Sequence, residues 1–177
     1  MTYTDFTRLV YADGRRRAHL IPILDHTTKV VSGWAVGERA ATNLALQAWG
    51  QAKQTFQAQG INYRGMIVHH DQDPVFTGYG WTAQLLLDDQ VRLSYALRGA
   101  QDNPEMEAFI SRFSVQDPEI VGSGKEENRS LLLDAQTLDE LHAVVSDRMA
   151  YYNNERRHSR TEYLAPLRYV EMLQSGP

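Results

Sequence analysis

Three runs of β-branched and aromatic residues follow one another at the start of the chain, separated only by turn residues. They confine the fold to one built on an antiparallel meander. The runs are 3–11 (YTDFTRLVY), 18–25 (AHLIPILD) and 29–36 (KVVSGWAV), each with the composition that suits a pleated, half-buried surface. Asp13-Gly14 is a hairpin-type turn signal, and His26 to Thr28 is a short polar turn. The period then changes. Ala40, Leu44, Ala48, Ala52 and Phe56 recur every four residues beside Ala45 and Trp49, which predicts a helix over 38–58 closed by Gly60. Met66-Ile67-Val68 is a short apolar run of the buried-central-strand kind. Residues 81–88 read as a helix and 91–97 as a strand.

Asn103-Pro104 reads as a helix start, with Asn as cap and Pro at the first position. Met106, Phe109, Ile110 and Phe113 continue it on one face. Residues 114–128 read as a loop. A last long helix begins at Thr137, where Thr-x-x-Glu with Glu140 forms a capping box, and runs through Leu138, Leu141, Val145, Met149 and Tyr152. The order β-β-β-α-β-α-β-α-α predicts an α/β fold with a five-stranded mixed sheet, its first three strands antiparallel, flanked by helices on both faces.

The length of 177 residues fits one domain over 1–177 and excludes two full-sized ones. The absence of cysteine excludes a disulfide framework, a thiolate metal site and a thiol nucleophile. No apolar run reaches the roughly eighteen residues of a membrane span, and the first residues lack a secretory signal, so the chain reads as cytoplasmic. The net charge of −4 argues mildly against a nucleic-acid partner. Its distribution says more. Residues 61–150 hold 7 Lys and Arg against 15 Asp and Glu, whereas residues 1–60 hold 7 against 4 and residues 151–177 hold 4 against 3. Acid gathers in the middle, leaving the ends free to meet phosphate.

Three carboxylates stand out. Asp71 sits where the apolar run at 66–68 gives out, and sites in open α/β sheets form at the carboxyl ends of strands. Asp5 lies within the first strand, on the face of Tyr3, Thr7 and Leu9, where a charge is costly unless paired or metal-bound. Glu107 lies about 100° around its helix from Met106, at the rim of the apolar stripe. Taken singly, each has an ordinary reading: a loop Asp capping its own turn, a solvated edge-strand Asp and a solvated helix-surface Glu.

Thirty-five residues separate Asp71 from Glu107. This spacing resembles the D,D-35-E pattern of retroviral integrases and related transposases. His69-His70-Asp71-Gln72 resembles the second-Asp motif of insertion-sequence transposases, and Asp102-Asn103-x-x-Met106-Glu107-x-Phe109 their catalytic-Glu motif. Thr4-Asp5-Phe6-Thr7 resembles their first-Asp motif. Leu24-Asp25-His26 and Val31-x-Gly33-Trp34 resemble their second and third strands. Tyr152-Asn153-Asn154-Glu155-Arg156-Arg157-His158-Ser159 and Tyr163-Leu164-x-Pro166 resemble their C-terminal signature. The pieces stand in the family's order over almost the whole chain.

The resemblance implies an RNase-H-like integrase core. It implies a DNA transposase that cleaves a phosphodiester and transfers the freed 3′-OH into target DNA, with Asp5, Asp71 and Glu107 as catalytic and metal-binding residues. The cofactor it implies is Mg²⁺, with Mn²⁺ as a substitute, two ions serving the active complex. The partners it implies are DNA, as transposon ends and target, and further copies of the chain in a bacterial, nucleoid-associated setting. Arg98, Arg112, Arg156 and Arg157 are the candidate phosphate contacts. His69 and His70 could be ligands, although a His beside a strand-end Asp is more often a hydrogen-bonding residue.

Three departures accompany the resemblance. The chain begins four residues before Asp5, without the upstream DNA-binding region of such transposases, so it reads as a fragment or truncated gene product. Asp73 stands where many relatives have Gly. Residues 114–124 look inserted between Arg112-Phe113 and Lys125-x-x-Asn128-Arg129-Ser130, which would end the Glu107 helix early. These departures support an alternative: a catalytically impaired fragment acting as regulator or relic that binds DNA or full-length transposase. An RNase-H-like nuclease of unrelated role is a third reading.

Overall fold

The computed structural model describes residues 1–96, 102–113 and 132–175. Its elements are β1 (Thr2–Thr4), β2 (Thr7–Tyr11), β3 (Arg16–Asp25), β4 (Val31–Gly37), α1 (Thr42–Ala58), β5 (Ile67–His70), α2 (Pro74–Thr77), α3 (Tyr79–Ala83, running on in a π-helical turn Gln84–Asp88), β6 (Arg92–Tyr95), α4 (Pro104–Phe113), α5 (Leu138–Asn154) and α6 (Pro166–Ser175). Arg98 and the expected insert at 114–124 lie outside the described residues, as do the side chains of Arg112 and Phe113. Among the described residues, no helix is long and apolar enough to cross a membrane.

The meander is antiparallel, as its turns require. β3 pairs with β4 on one side and with both β1 and β2 on the other. β5 then adds parallel to β1, and β6 parallel to β5. Among the described residues the sheet counts six strands where five were expected, because the run at 3–11 is interrupted at Asp5 and Phe6. The Asp5 carboxylate takes the Phe6 amide at 2.7 Å, a local bond that competes with the ladder.

Alternation along β3 builds two cores. Leu20 and Leu24 face one side, where α4 and α5 cover them with Met106, Phe109, Leu141, Val145 and Met149. Ile21 and Ile23 face the other, where α1 brings Ala48, Trp49, Ala52 and Phe56 and the segment after β5 brings Phe76, Trp81 and Leu85. α1 lies so close to β4 that a Cβ on Gly33 would fall 2.3 Å from the Ala48 carbonyl oxygen and 2.4 Å from the Ala52 nitrogen. Glycine on the strand and alanine on the helix are the condition for that contact.

α1 begins at Thr42 rather than 38, and it ends as its sequence requires. Gly60 takes φ +68°, its amide bonds the Gln57 carbonyl at 3.1 Å, and the Ile61 amide bonds that of Phe56 at 2.8 Å, a Schellman closure. At the start of α5 the Glu140 amide bonds Thr137 Oγ1 at 3.2 Å, while the Glu140 carboxylate reaches back to the Gln136 amide at 2.7 Å.

Candidate active site

The register of the two central parallel strands decides where the aspartates stand. Thr2 pairs with Val68 and Tyr3 with His69. Followed two residues further, the same register sets Asp5 beside Asp71. Each is the first residue past its strand, at the carboxyl end of the sheet, and each is half-buried. Asp71 is held by its own turn, Oδ1 accepting from the Asp73 amide at 3.0 Å.

α4 is docked over the same strand ends. His69 Nε2 donates to the Asp102 carbonyl at 3.1 Å, and Asn103 Nδ2 donates to the Thr4 carbonyl at 3.5 Å. Met106 and Phe109, 0% and 3% exposed, seat the helix in the core, and Glu107 is left exposed on its flank. The expected side-chain cap by Asn103 is not what forms. Its carbonyl receives the Glu107 amide at 3.1 Å, but its own amide is buried and turned to β1, where Oδ1 has no hydrogen-bond partner.

Electrostatics register the crowding. Burial pushes the Asp5 carboxyl up to about 6, the Phe6 amide works against this, and the negative charges of Asp71, Asp73 and Glu107 add to the rise. Among the described residues, no three acidic or histidine side chains are gathered closely enough to hold an ion as they stand. The three expected residues therefore share one end of the sheet and one field, without forming a closed cluster.

The Integrase core domain family model matches residues 1–100. The chain belongs to the integrase core domain family. The catalytic core of HTLV-2 integrase, solved in complex with magnesium in a trimeric form, aligns with a TM-score of 0.62 at 10% identity, over 96% of this chain and 94% of that one. That of BIV integrase aligns at 0.59 and 14% identity, over 98% and 95%. A chain of the simian T-cell lymphotropic virus intasome, solved with PP2A regulatory subunit B56 gamma, aligns at 0.67 and 10% identity, over 96% of this chain and 53% of that one. At these identities the likeness is one of fold, and it is the RNase-H-like fold expected from the sequence. No curated protein matches the sequence.

Within this integrase core the two histidines have structural partners. His70 is buried, with Nδ1 donating to the Asp71 carbonyl at 2.7 Å and Nε2 accepting from Trp81 Nε1 at 3.2 Å. Burial holds its pKa below the usual histidine value. His69 donates from Nε2 to Asp102, which leaves Nδ1 to accept from Ser94 Oγ at 3.0 Å. Asp73, the departure from the family pattern, caps α2 by accepting the Val75 amide at 2.8 Å, which accounts for a carboxylate there. Arg157 is exposed, and Arg156 lies 5.9 Å from the centre of the Tyr152 ring. Sequence reasoning missed Glu105. Its carboxylate pairs with Lys29 Nζ at 2.8 Å and with Arg160, partners far along the chain that no local pattern announces.

Proposed function

We propose that this integrase core is a metal-dependent DNA strand-transfer enzyme of the insertion-sequence transposase kind. Its reaction cleaves a phosphodiester at a transposon end and joins the freed 3′-OH to target DNA. The observation that carries this reading is that Asp5 and Asp71 are the first residues past the paired parallel strands β1 and β5, with the charges of Asp71 and Glu107 felt at Asp5. The donor set fits Mg²⁺. The carboxylates supply hard oxygen ligands, both nearby imidazoles are engaged elsewhere, and the negative charges of Asp71, Asp73 and Glu107, which add to the effect of burial at Asp5, are ones that a divalent cation would offset. Asp5, Asp71 and Glu107 would hold the metal, Glu107 closing on the site by side-chain movement.

Bound divalent ions would supply charge relief at the attacking and leaving oxygens. The remaining work falls to the chain. The half-buried strand ends carry two of the carboxylates, and Arg156 and Arg157, with Arg98 and Arg112, are the proposed phosphate contacts. DNA and further copies of the chain are the proposed partners, at the bacterial nucleoid. The HTLV-2 core with magnesium and the simian T-cell lymphotropic virus intasome support the metal and the assembly by likeness of fold.

One observation favours the second reading, a chain that binds DNA or full-length transposase without catalysis: the open arrangement of the carboxylates among the described residues. Incubation with random-sequence DNA duplexes and Mn²⁺, followed by sequencing of joined products, separates the two. The first reading expects joining that disappears, by about 100-fold or more, in Asp71→Asn and Glu107→Gln. Joining that survives Asp71→Asn would refute it. DNA binding without Mn²⁺-dependent joining would establish the second.

A further inference from the structure

Glu105 and Glu107 lie on opposite flanks of α4. At about 100° per residue each stands roughly 100° from Met106, one to either side, and Met106 is wholly buried. Rotation of α4 about its axis therefore moves the two carboxylates in opposite senses relative to the sheet. Glu105 is the flank that is fastened. Its side chain, 15% exposed, meets Lys29 Nζ at 2.8 Å. Lys29 is itself 6% exposed, stands in the turn between β3 and β4 with φ +61°, and donates also to the His26 carbonyl at 2.6 Å. The second carboxylate oxygen of Glu105 is held by Arg160 from the C-terminal turn Ser159–Thr161. That turn is tied within itself: Thr161 Oγ1 is shared between the His158 and Leu164 carbonyls at 3.1 and 2.7 Å.

We propose that the Lys29–Glu105–Arg160 clamp is a positioning device for the metal site. By fixing the rotation of the first turn of α4 it sets where the Glu107 carboxylate can reach, and it makes the C-terminal turn a working part of the core. Glu105 is a positioning residue in this scheme and touches neither ion nor DNA. The inference rests on the proposed reading of Asp5, Asp71 and Glu107 as metal ligands.

The test is Mn²⁺ binding by calorimetric titration of the full chain, without DNA. Arg160→Ala is the first variant, since the Arg160 side chain is 68% exposed and its loss spares the core. Lys29→Met with Glu105→Met is the second, removing both buried charges so that neither is stranded. Each should keep the wild-type melting temperature without metal within a few degrees and bind Mn²⁺ about 10-fold more weakly, the usual effect of losing support behind a ligand. Arg160→Lys should recover most of that affinity. Asp5→Asn is the control for the site itself. If Asp5→Asn leaves Mn²⁺ binding intact, the metal-site reading fails and the clamp with it. If Asp5→Asn abolishes binding while Arg160→Ala and the double variant bind as tightly as wild type, the site stands and the clamp proposal is overturned.

Discussion

At the scale of single residues, Asp5 couples the proposed site to the stability of the fold. Its carboxyl titrates at about 6 in the fold against 3.8 when free, so the folded state holds its proton more tightly than the unfolded chain does. With respect to this group, stability is therefore fullest below about pH 4 and is lost as pH rises to 6. The displacement corresponds to at most about 3 kcal/mol, and solvent screening at a half-buried group brings it nearer 1 kcal/mol. Asp5→Asn keeps an oxygen for the Phe6 amide and removes the charge. In metal-free denaturant titrations it should exceed wild type by about 1 kcal/mol at pH 7 and match it at pH 3.5. A variant no more stable at pH 7 would show that the carboxylates do not burden the fold. In the proposed metal site the same proton competes with the ion, so Mn²⁺ affinity of the wild type should fall as the buffer is taken below pH 6.

The two ends of the Glu107 motif differ in the same residue-level terms. Phe109 is 3% exposed and packs its ring at 5.0 Å from that of Tyr152, so Phe109→Ala should cost about 3–5 kcal/mol. Glu107 is exposed, and Glu107→Gln should leave the metal-free melting temperature unchanged or slightly higher. A large fall for the Glu107 variant would place that side chain in a structural role.

At the scale of elements, the close contact of α1 with β4 sets a sharp tolerance. Gly33→Ala would press a methyl group against helix backbone on both Ala48 and Ala52, and backbone cannot swing aside as a side chain can. We expect a loss of about 3 kcal/mol in denaturant unfolding, with Ala48→Gly failing to restore it because the clash is with the carbonyl. The expected helix at 81–88 is instead α3 and a π-helical turn. Asp89 ends that turn, taking Trp49 Nε1 at 2.7 Å, Lys53 Nζ at 2.9 Å and Gln84 Nε2 at 3.1 Å. A buried acceptor with three donors from two elements outweighs the local preference for a regular helix.

At the scale of the whole molecule, the C-terminal third is held to the sheet by the apolar face of α5, and a few polar contacts fix its placement. Asn153 near the end of α5 accepts the Val31 amide at 2.9 Å and donates to the Val31 carbonyl at 3.0 Å, closing the first residue of β4 as another strand would. Asn153→Ala strands both groups and should cost about 2 kcal/mol in chemical denaturation, and Asn153→Asp, which keeps only an acceptor, should recover part of it. Equal stability of Asn153→Ala and wild type would mean that water replaces the latch.

Periodicity by itself determined the order of the main strands and helices and the antiparallel start, since side-chain alternation is a local property of the chain; the break between β1 and β2 and the helices α2 and α6 were not read from it. The closure at Gly60 and the cap at Thr137 were equally legible, because their donors and acceptors lie within a few residues of one another. The spacing of Asp71 and Glu107 marked them as a pair only through resemblance to a family; nothing local says that a strand-end Asp and a helix-flank Glu share a field. What tertiary structure alone decided depends on partners far along the chain. Pairing of β1 with β5 sets Asp5 beside Asp71, burial at that strand end lifts the Asp5 carboxyl, and the fold places Lys29 and Arg160 on Glu105, 76 and 55 residues away. Asn103 turned from capping its helix to bonding Thr4 for the same reason: the contact that prevailed was across the fold, and sequence patterns carry only the contacts made along it.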